Sequence, residues 1–575
     1  MSQTIHAATG SLNRILLTGL ILYFPILLAG CAYRVSSPPP APPVQVKPIV
    51  AGEARFSDVT EEAGLAFKQS HGGCGLRYFV EQVAAGAAVL DANGDGFPDI
   101  YFPAPKPLGD CKPKFKDIPK QRLYLNDGKG HFTLAANAFG GVETDYGIGA
   151  AVGDFDNDGH PDLYVACYGK NKLFRNRGNG TFEDVTQKAG VSVGGFSTGA
   201  VWFDYNNDGL LDLYVLRYCN WTEATDIPCM GPNGARDVCK PETYVASTNV
   251  LFRNNGDGTF TNVTKKSGAA PAQRRSLSAV AADFNGDGRL DLFVSNDLGP
   301  NYMLRNNGDG TFKDAAMEAG VAFGLTGVVQ ANMGLAAGDF DDSGRISVLV
   351  TTFANEPYTL YRNEGDYFTD VSGTSGIGKI TLTNLGFGTG FLDSRNSGRL
   401  DLFCANGHVS PFANLDNPLW SYKQHNQLLR NEGGGRFTED LNALPKSDVR
   451  VHRGACFADF NNDGKVDILV TASDDRPTLL RNETKSGNWL ILQLTNKQGC
   501  CTPIGTRCVV TVGGKRLTRA VMGGGSYGGD SDFRVHFGLG EAKEAERLEI
   551  HWMSGKTQII EHVQANHLLT IREAP

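Results

Sequence analysis

Residues 154–162 read Asp154-Phe155-Asp156-Asn157-Asp158-Gly159-His160-Pro161-Asp162, and this stretch decides the fold because it recurs. The same D-x-[DN]-x-D-G-x-x-D pattern begins at Asp91, Asp204, Asp283 and Asp459, and degenerate copies begin at Asp339 and Asp393. The mean step of about 61 residues is the length of one four-stranded unit with variable loops. Each copy follows a small-residue segment such as Gly149-Ala150-Ala151-Val152-Gly153 and precedes a β-rich one such as Asp162-Leu163-Tyr164-Val165. The loop therefore sits in a hairpin.

Two more segments complete each unit, a strand reading L-x-R-N and a strand reading F-x-D-V-T. The first begins at Leu123, Leu173, Leu251, Met303, Leu360, Leu428 and Leu479, the second at Phe56, Phe132, Phe182, Phe260, Phe312, Phe368 and Phe437. The two series are offset: the first F-x-D-V-T has no L-x-R-N before it, and the last L-x-R-N has no F-x-D-V-T after it. A ring closes by pairing those two strands and leaves no exposed sheet edge, whereas an open β-solenoid, the alternative, gains nothing from the split. The expectation is an all-β chain: a seven-bladed propeller over residues 53–484, closed by its N- and C-terminal strands, then a small β-domain over 485–575.

In these loops positions 1, 3, 5 and 9 offer side-chain oxygens, position 7 a carbonyl, and the glycine at 6 permits the reversal around an ion. Oxygen-only ligation suits Ca²⁺, and with neither His nor Cys among the donors zinc and copper are poor candidates. The expected ligands are Asp91, Asn93, Asp95 and Asp99; Asp154, Asp156, Asp158 and Asp162; Asp204, Asn206, Asp208 and Asp212; Asp283, Asn285, Asp287 and Asp291; and Asp459, Asn461, Asp463 and Asp467. A weaker sixth site has Asp339, Asp341 and Ser343, with Ser347 where the ninth-position aspartate would stand. In the loop at Asp393, Arg395 holds position 3 and Ser397 position 5, so a guanidinium is expected in place of the ion. Asp and Asn also build metal-free Asx turns, but carboxylates converging in five loops in register would repel one another without a cation.

With 575 residues, 41% of them hydrophobic and 71 of them glycine, the chain has material for two domains of short strands and many turns. The formal charge of −8 argues against nucleic acid as a partner, and it has a local cause in the loop carboxylates. Residues 1–30 read as a signal peptide: Arg14, an apolar run from Ile15 to Leu28, then Leu28-Ala29-Gly30-Cys31. That ending resembles a bacterial lipobox, so Cys31 is the expected lipidation site, and the proline-rich 36–48 the tether that follows it in a 31–52 linker. The alternative is a plain membrane anchor, for which the apolar run is short. Envelope export permits disulfides, with candidates in three groups: Cys74 with Cys111, Cys229 and Cys239 near Cys219, and Cys500, Cys501 and Cys508. Cys404 and Cys456 read as buried thiols.

The loops resemble the FG-GAP/VCBS repeats of integrin α-subunit propellers. The tail, with Asn488-Trp489-Leu490, Gly505-Thr506-Arg507, Gly523-Gly524-Gly525-Ser526-Tyr527, Ser531-Asp532, Arg534 to Gly540 and His551-Trp552-Met553-Ser554-Gly555, resembles the ASPIC/UnbV domain. Together they are similar to the cartilage acidic protein family and its bacterial relatives. The resemblance implies a propeller architecture and a calcium dependence, and supplies no settled activity.

No H-E-x-x-H or Walker motif is present. The first expectation is thus a tethered interaction or adhesion module for a protein or glycan, with Trp221 and Tyr244 on the Cys219–Tyr244 insertion as the expected contact residues. The alternatives are an enzyme with a site in the propeller funnel, for which Glu81 and Asn406-Gly407-His408 are the suggestive residues, and an accessory protein of envelope assembly or transport.

Overall fold

The structure, a computed structural model, describes residues 53–575. The signal peptide and the whole of the proposed 31–52 linker, Cys31 included, lie outside the described residues. Seven four-stranded antiparallel sheets follow one another, and their inner strands are Ala88–Leu90, Tyr146–Gly153, Ser197–Phe203, Ser276–Ala282, Leu335–Gly338, Gly386–Leu392 and His452–Ala458, here blades 1 to 7. Each inner strand packs beside that of the next blade, and blade 7 returns to blade 1.

The offset in the sequence has its expected outcome. Phe56–Asp58 is the outer strand of blade 7, paired antiparallel with Thr478–Asn482 in the register Phe56↔Asn482, Ser57↔Arg481, Asp58↔Leu480. Thr60 Oγ1 accepts from Leu479 N at 2.8 Å, and Arg476 pairs with Asp58 at 2.6 Å, so the seam is bonded by side chains as well as backbone. Buried apolar residues form separate clusters between neighbouring blades.

The small residues of the inner strands line a narrow channel, and the tail fills it. The tail has two sheets of its own. One orders Val535–Gly540, Asn488–Thr495 and His567–Arg572, and the other Lys515–Ala520, Arg507–Val512, Glu544–His551 and Thr557–Gln564. Between them the glycine-rich segment 523–532 enters the ring. Gly523–Gly524 pairs with the inner strand of blade 4, Val89 N donates to Asp530 O (3.0 Å) and Ala150 N to Gly528 O (3.2 Å). Ser526 bonds Leu335 of blade 5 through its backbone, and its Oγ donates to Ala455 O of blade 7 at 2.6 Å. Close approach explains the glycines: a Cβ on Gly529 would stand 1.5 Å from Ala87 O, and one on Gly523 2.2 Å from Trp202 O. The expected small β-domain is thus a plug as well as a neighbour.

At the other end of the channel, loops carrying both disulfides form a cap. Cys74–Cys111 and Cys229–Cys239 are bonded. The third expected group is not: Cys500, Cys501 and Cys508 are free thiols, as is Cys219. Cys500 is buried against Asp154 O (3.7 Å) of the blade 2 loop, whereas Cys508 sits within the tail strand Arg507–Val512, and although both belong to one buried cluster neither is bonded. Cys404 and Cys456 are buried thiols, as expected.

Candidate metal loops and the face they occupy

In all seven loops the first aspartate shapes the turn, because its Oδ2 accepts from the backbone N–H of the glycine five residues on: Gly96, Gly159, Gly209, Gly288, Gly344, Gly398 and Gly464, at 2.6–3.0 Å. The ninth aspartate does a different task. Asp99, Asp162, Asp212, Asp291, Asp401 and Asp467 each accept through Oδ1 from the backbone N–H of the asparagine in the L-x-R-N strand, at 2.7–2.8 Å. In blade 5 Ser347 Oγ accepts instead, from Asn363 N at 3.0 Å, which keeps the staple and discards the charge.

Those asparagines latch the ring together, a role sequence reasoning did not assign. The Asn306 amide donates to Leu290 O of its own blade and to Tyr205 O of the preceding one, and Asn363, Asn431 and Asn482 repeat the pattern onto Phe284, Phe340 and Ser394. Asn126 reaches Phe460 O and so crosses the seam between blades 1 and 7. An asparagine fixed beside every loop was the available signal.

Burial sets the electrostatics of the loops. It pushes the Asp99 carboxyl up to about 7 and those of Asp154, Asp204, Asp291, Asp339 and Asp459 up to about 6. Asp162, Asp212 and Asp467 rise further, with neighbouring loop carboxylates adding to the desolvation. Oxygens of Asp154, Asp156 and Asp162 all lie within 4.8 Å of one another, and Asp156 Oδ1 is buried without a partner. An all-oxygen set of three carboxylates with one oxygen idle fits a hard divalent cation. Asp341 Oδ1 is likewise buried and unpartnered.

The remaining expected ligands are less gathered. Asn93, Asn206 and Asn285 each donate to the fifth-position carboxylate of the same loop, Asp95, Asp208 and Asp287, at 2.8 Å. Asn461 Oδ1 accepts from Asp463 N, and Ser343 Oγ lies 3.5 Å from Asp339 Oδ1. Cations of the protein also reach in: Arg175 to Asp156 and Asp158, Arg289 to Asp287, Arg305 to Asp291 and Lys465 to Asp463. Asp283 is held through its bonds from Gly286, Asp287 and Gly288.

Blade 6 is built differently. Arg395 is buried in its loop, and Nη2 donates to Asp401 Oδ1 at 2.8 Å, so the ninth carboxylate faces a guanidinium. From the tail, Arg519 Nη2 reaches Gly398 O at 3.2 Å. The tail touches other loops too: Cys501 N donates to Asp154 Oδ2, Asp154 N to Thr502 Oγ1, and Arg534 to Asn462 Oδ1 and Asp459 O. The loop face is therefore the docking face of the tail.

The expected contact residues need correction. Trp221 and Tyr244 are 1% and 5% exposed. Trp221 Nε1 donates to Asp226 Oδ1 at 2.9 Å, Tyr244 Oη accepts from Ile227 N at 3.0 Å, and the Tyr244 ring lies 4.8 Å from that of Phe79. The bridged insertion folds back onto the cap and buries its aromatics as core, leaving Ile227, Met230 and Val245 exposed. Glu81 and His408 also lie in the cap, at its junction with the ring.

Two family profiles match the chain. FG-GAP-like repeat matches residues 117–165, 154–215, 238–294, 283–350 and 393–470, together half of the chain, and ASPIC and UnbV matches 496–575. Cartilage acidic protein 1 of Homo sapiens is 26% identical over 275 residues, which are 46% of this chain and 39% of that one. The Xenopus tropicalis protein of the same name is 27% identical over 293 residues, 49% of this chain and 42% of its own. The aligned region thus spans about two fifths of these relatives. Among solved structures, the BP39L lectin of Burkholderia pseudomallei covers 72% of this chain and 96% of its own, with 9% identity and a TM-score of 0.40. An Agrocybe aegerita lectin specific for non-reducing terminal N-acetylglucosamine covers 63% and 81%, with 17% identity and a TM-score of 0.36. Repeats, tail and relatives agree: the chain belongs to the FG-GAP-like repeat family, ends in an ASPIC and UnbV domain, and is homologous to cartilage acidic protein 1.

Proposed function

We propose that this protein is a calcium-stabilised interaction module, exported and tethered through a lipid on Cys31, whose propeller presents a rigid surface to a protein or glycan ligand in the cell envelope. The observation that carries the calcium part is the convergence of Asp154, Asp156 and Asp162, with a buried oxygen of Asp156 left idle. Bound there, a Ca²⁺ would neutralise carboxylates that burial otherwise protonates, and would tie the two strands of the hairpin together. The loops at Asp91, Asp204, Asp283 and Asp459 repeat the donor set, the loop at Asp339 offers a weaker one, and Arg395 replaces the ion in blade 6. The two disulfides fit an exported protein.

The interaction reading draws on homology to cartilage acidic protein 1 and on a scaffold whose channel is filled by its own tail. That plug weighs against an enzyme working in an open central funnel. Immobilised protein, exposed to a glycan array and to envelope extracts in calcium and again in chelator, tests the proposal. Retention of a defined ligand in calcium and its release in chelator support it; no ligand in either condition, with the protein folded, sinks it.

A further inference from the structure

The cap holds a set of polar groups that the metal loops do not explain. His408 is 2% exposed; its Nδ1 lies 3.0 Å from Ser410 N and 3.3 Å from Ser410 O, and since the amide N–H can only donate, the shorter contact assigns Nδ1 as acceptor and the proton to Nε2. That Nε2 has no hydrogen-bond partner among the described residues. Burial pulls the ring down to about 4, so it stays neutral and keeps that single proton at pH 7. Trp420 stacks on it with ring centroids 5.5 Å apart, Phe353 stands edge-on to both, and the Trp420 indole N–H, a donor by chemistry, is also buried and unpartnered. A third such group is the amide nitrogen of Gln82, which is 8% exposed.

One guanidinium ties the segments carrying these donors. Arg453 is fully buried above the Phe387 ring (4.1 Å) and makes no salt bridge among the described residues. Its Nε donates to Gln82 O (2.9 Å), its Nη1 to Gly407 O (3.0 Å) and His452 O (2.8 Å), and its Nη2 lies 3.4 Å from His408 O. The charge is therefore solvated by carbonyls and left without a counter-ion. Other titratable groups face the same corner: Asp237, whose carboxylate accepts from Ser410 Oγ at 2.5 Å, His71, which burial holds below the ordinary histidine value, and Glu81, raised to about 7 by burial. A Cβ on Gly73 would lie 2.3 Å from Glu81 Oε2 and 2.4 Å from His71 Cε1, so only glycine fits between the two. His71, Gly73, Phe353 and Trp420 are half-buried, and the corner reaches solvent along that rim.

We propose that this corner of the cap binds the carboxylate of a small organic anion, taken by the His408 and Trp420 N–H groups beside the uncompensated charge of Arg453. Idle donors require an acceptor, and donors beside an unpaired buried cation favour a charged one. The proposal names a ligand chemistry for the interaction module and rests on that reading.

The test is an indole ¹⁵N–¹H titration of the full chain, held in saturating calcium, with acetate, D-glucuronate, D-glucose and matched sodium chloride. The chain has five tryptophans, and Trp420→Phe assigns the relevant signal by removing it while keeping a ring for His408. Acetate and glucuronate are expected to shift that signal, with glucose and chloride leaving it in place. A stronger response to glucuronate than to acetate would assign the source to an acidic sugar, and an equal response to the bare carboxylate. His408→Gln, followed on the same Trp420 signal, should weaken binding about tenfold, as loss of a hydrogen bond to a charged group implies. No shift, the same shift with glucose, or unchanged affinity in folded His408→Gln would overturn the site. Ligand retention by the unmodified protein on the glycan array and from envelope extracts separates failure of this site from failure of the interaction module itself.

Discussion

Arg395 shows how a single side chain changes the chemistry of a repeat. Burial raises the Asp401 carboxyl to about 6, and the guanidinium beside it holds it below the level of Asp467, which has no such partner. Arg395→Ala strands Asp393 and Asp401 in the interior and should cost about 3–5 kcal/mol in denaturant unfolding, the usual penalty for removing half of a buried pair. The loss should be the same with and without calcium. A contrasting role belongs to Asn482, whose amide joins Ser394 O and Val466 O and whose Oδ1 accepts from Thr484 N. Asn482→Ala should cost about 1–3 kcal/mol by the same assay, while Asn255→Ala, on an exposed turn, should be near neutral. The first role is legible in the sequence because the arginine breaks a repeated pattern in place. The second is not, because its partner lies 88 residues away on another blade and is a carbonyl, which no residue type announces.

The tail loop is the element whose form sequence foretells least. Alternating apolar and polar residues give its strands, but the glycines of 523–529 match no phosphate-binding pattern, and their reason is a channel whose walls are other parts of the chain. Asp530 is the one acid buried at its base. Its Oδ2 accepts from Val152 N at 2.8 Å, and burial raises it to about 7. The folded protein therefore holds this proton more tightly than the unfolded chain, in which aspartate titrates near 3.9. The proton's contribution to stability is complete below about pH 4 and is lost as pH rises through about 7. Asp530→Asn keeps the acceptor and removes the titration. Its stability relative to the parent should rise by a few kcal/mol between pH 4 and pH 8, measured by paired chemical unfolding at the two pH values. An offset independent of pH would show that Asp530 is ionised in place.

At the scale of the molecule, the ring was legible because seven loops and two offset strand series leave one economical closure, and Phe56–Asp58 pairs with Thr478–Asn482 accordingly. The cap was not, since an insertion containing Trp221 and Tyr244 reads as an exposed surface until its disulfide and its contacts with Phe79 turn the aromatics inward. Between these two lie the metal loops, whose residues are evident in sequence and whose buried carboxylates, with raised proton affinities, leave the folded ring in need of positive charge on one face. The most direct measurement is a calcium titration of the chelator-treated protein at pH 7.5, following bound ions by calorimetry and unfolding by thermal melting. The account predicts on the order of five ions per chain and a melting temperature that climbs with calcium, each site adding about 2.7 kcal/mol at a hundredfold excess over its dissociation constant. A ring that binds no calcium and melts at the same temperature in chelator and in millimolar calcium would contradict it.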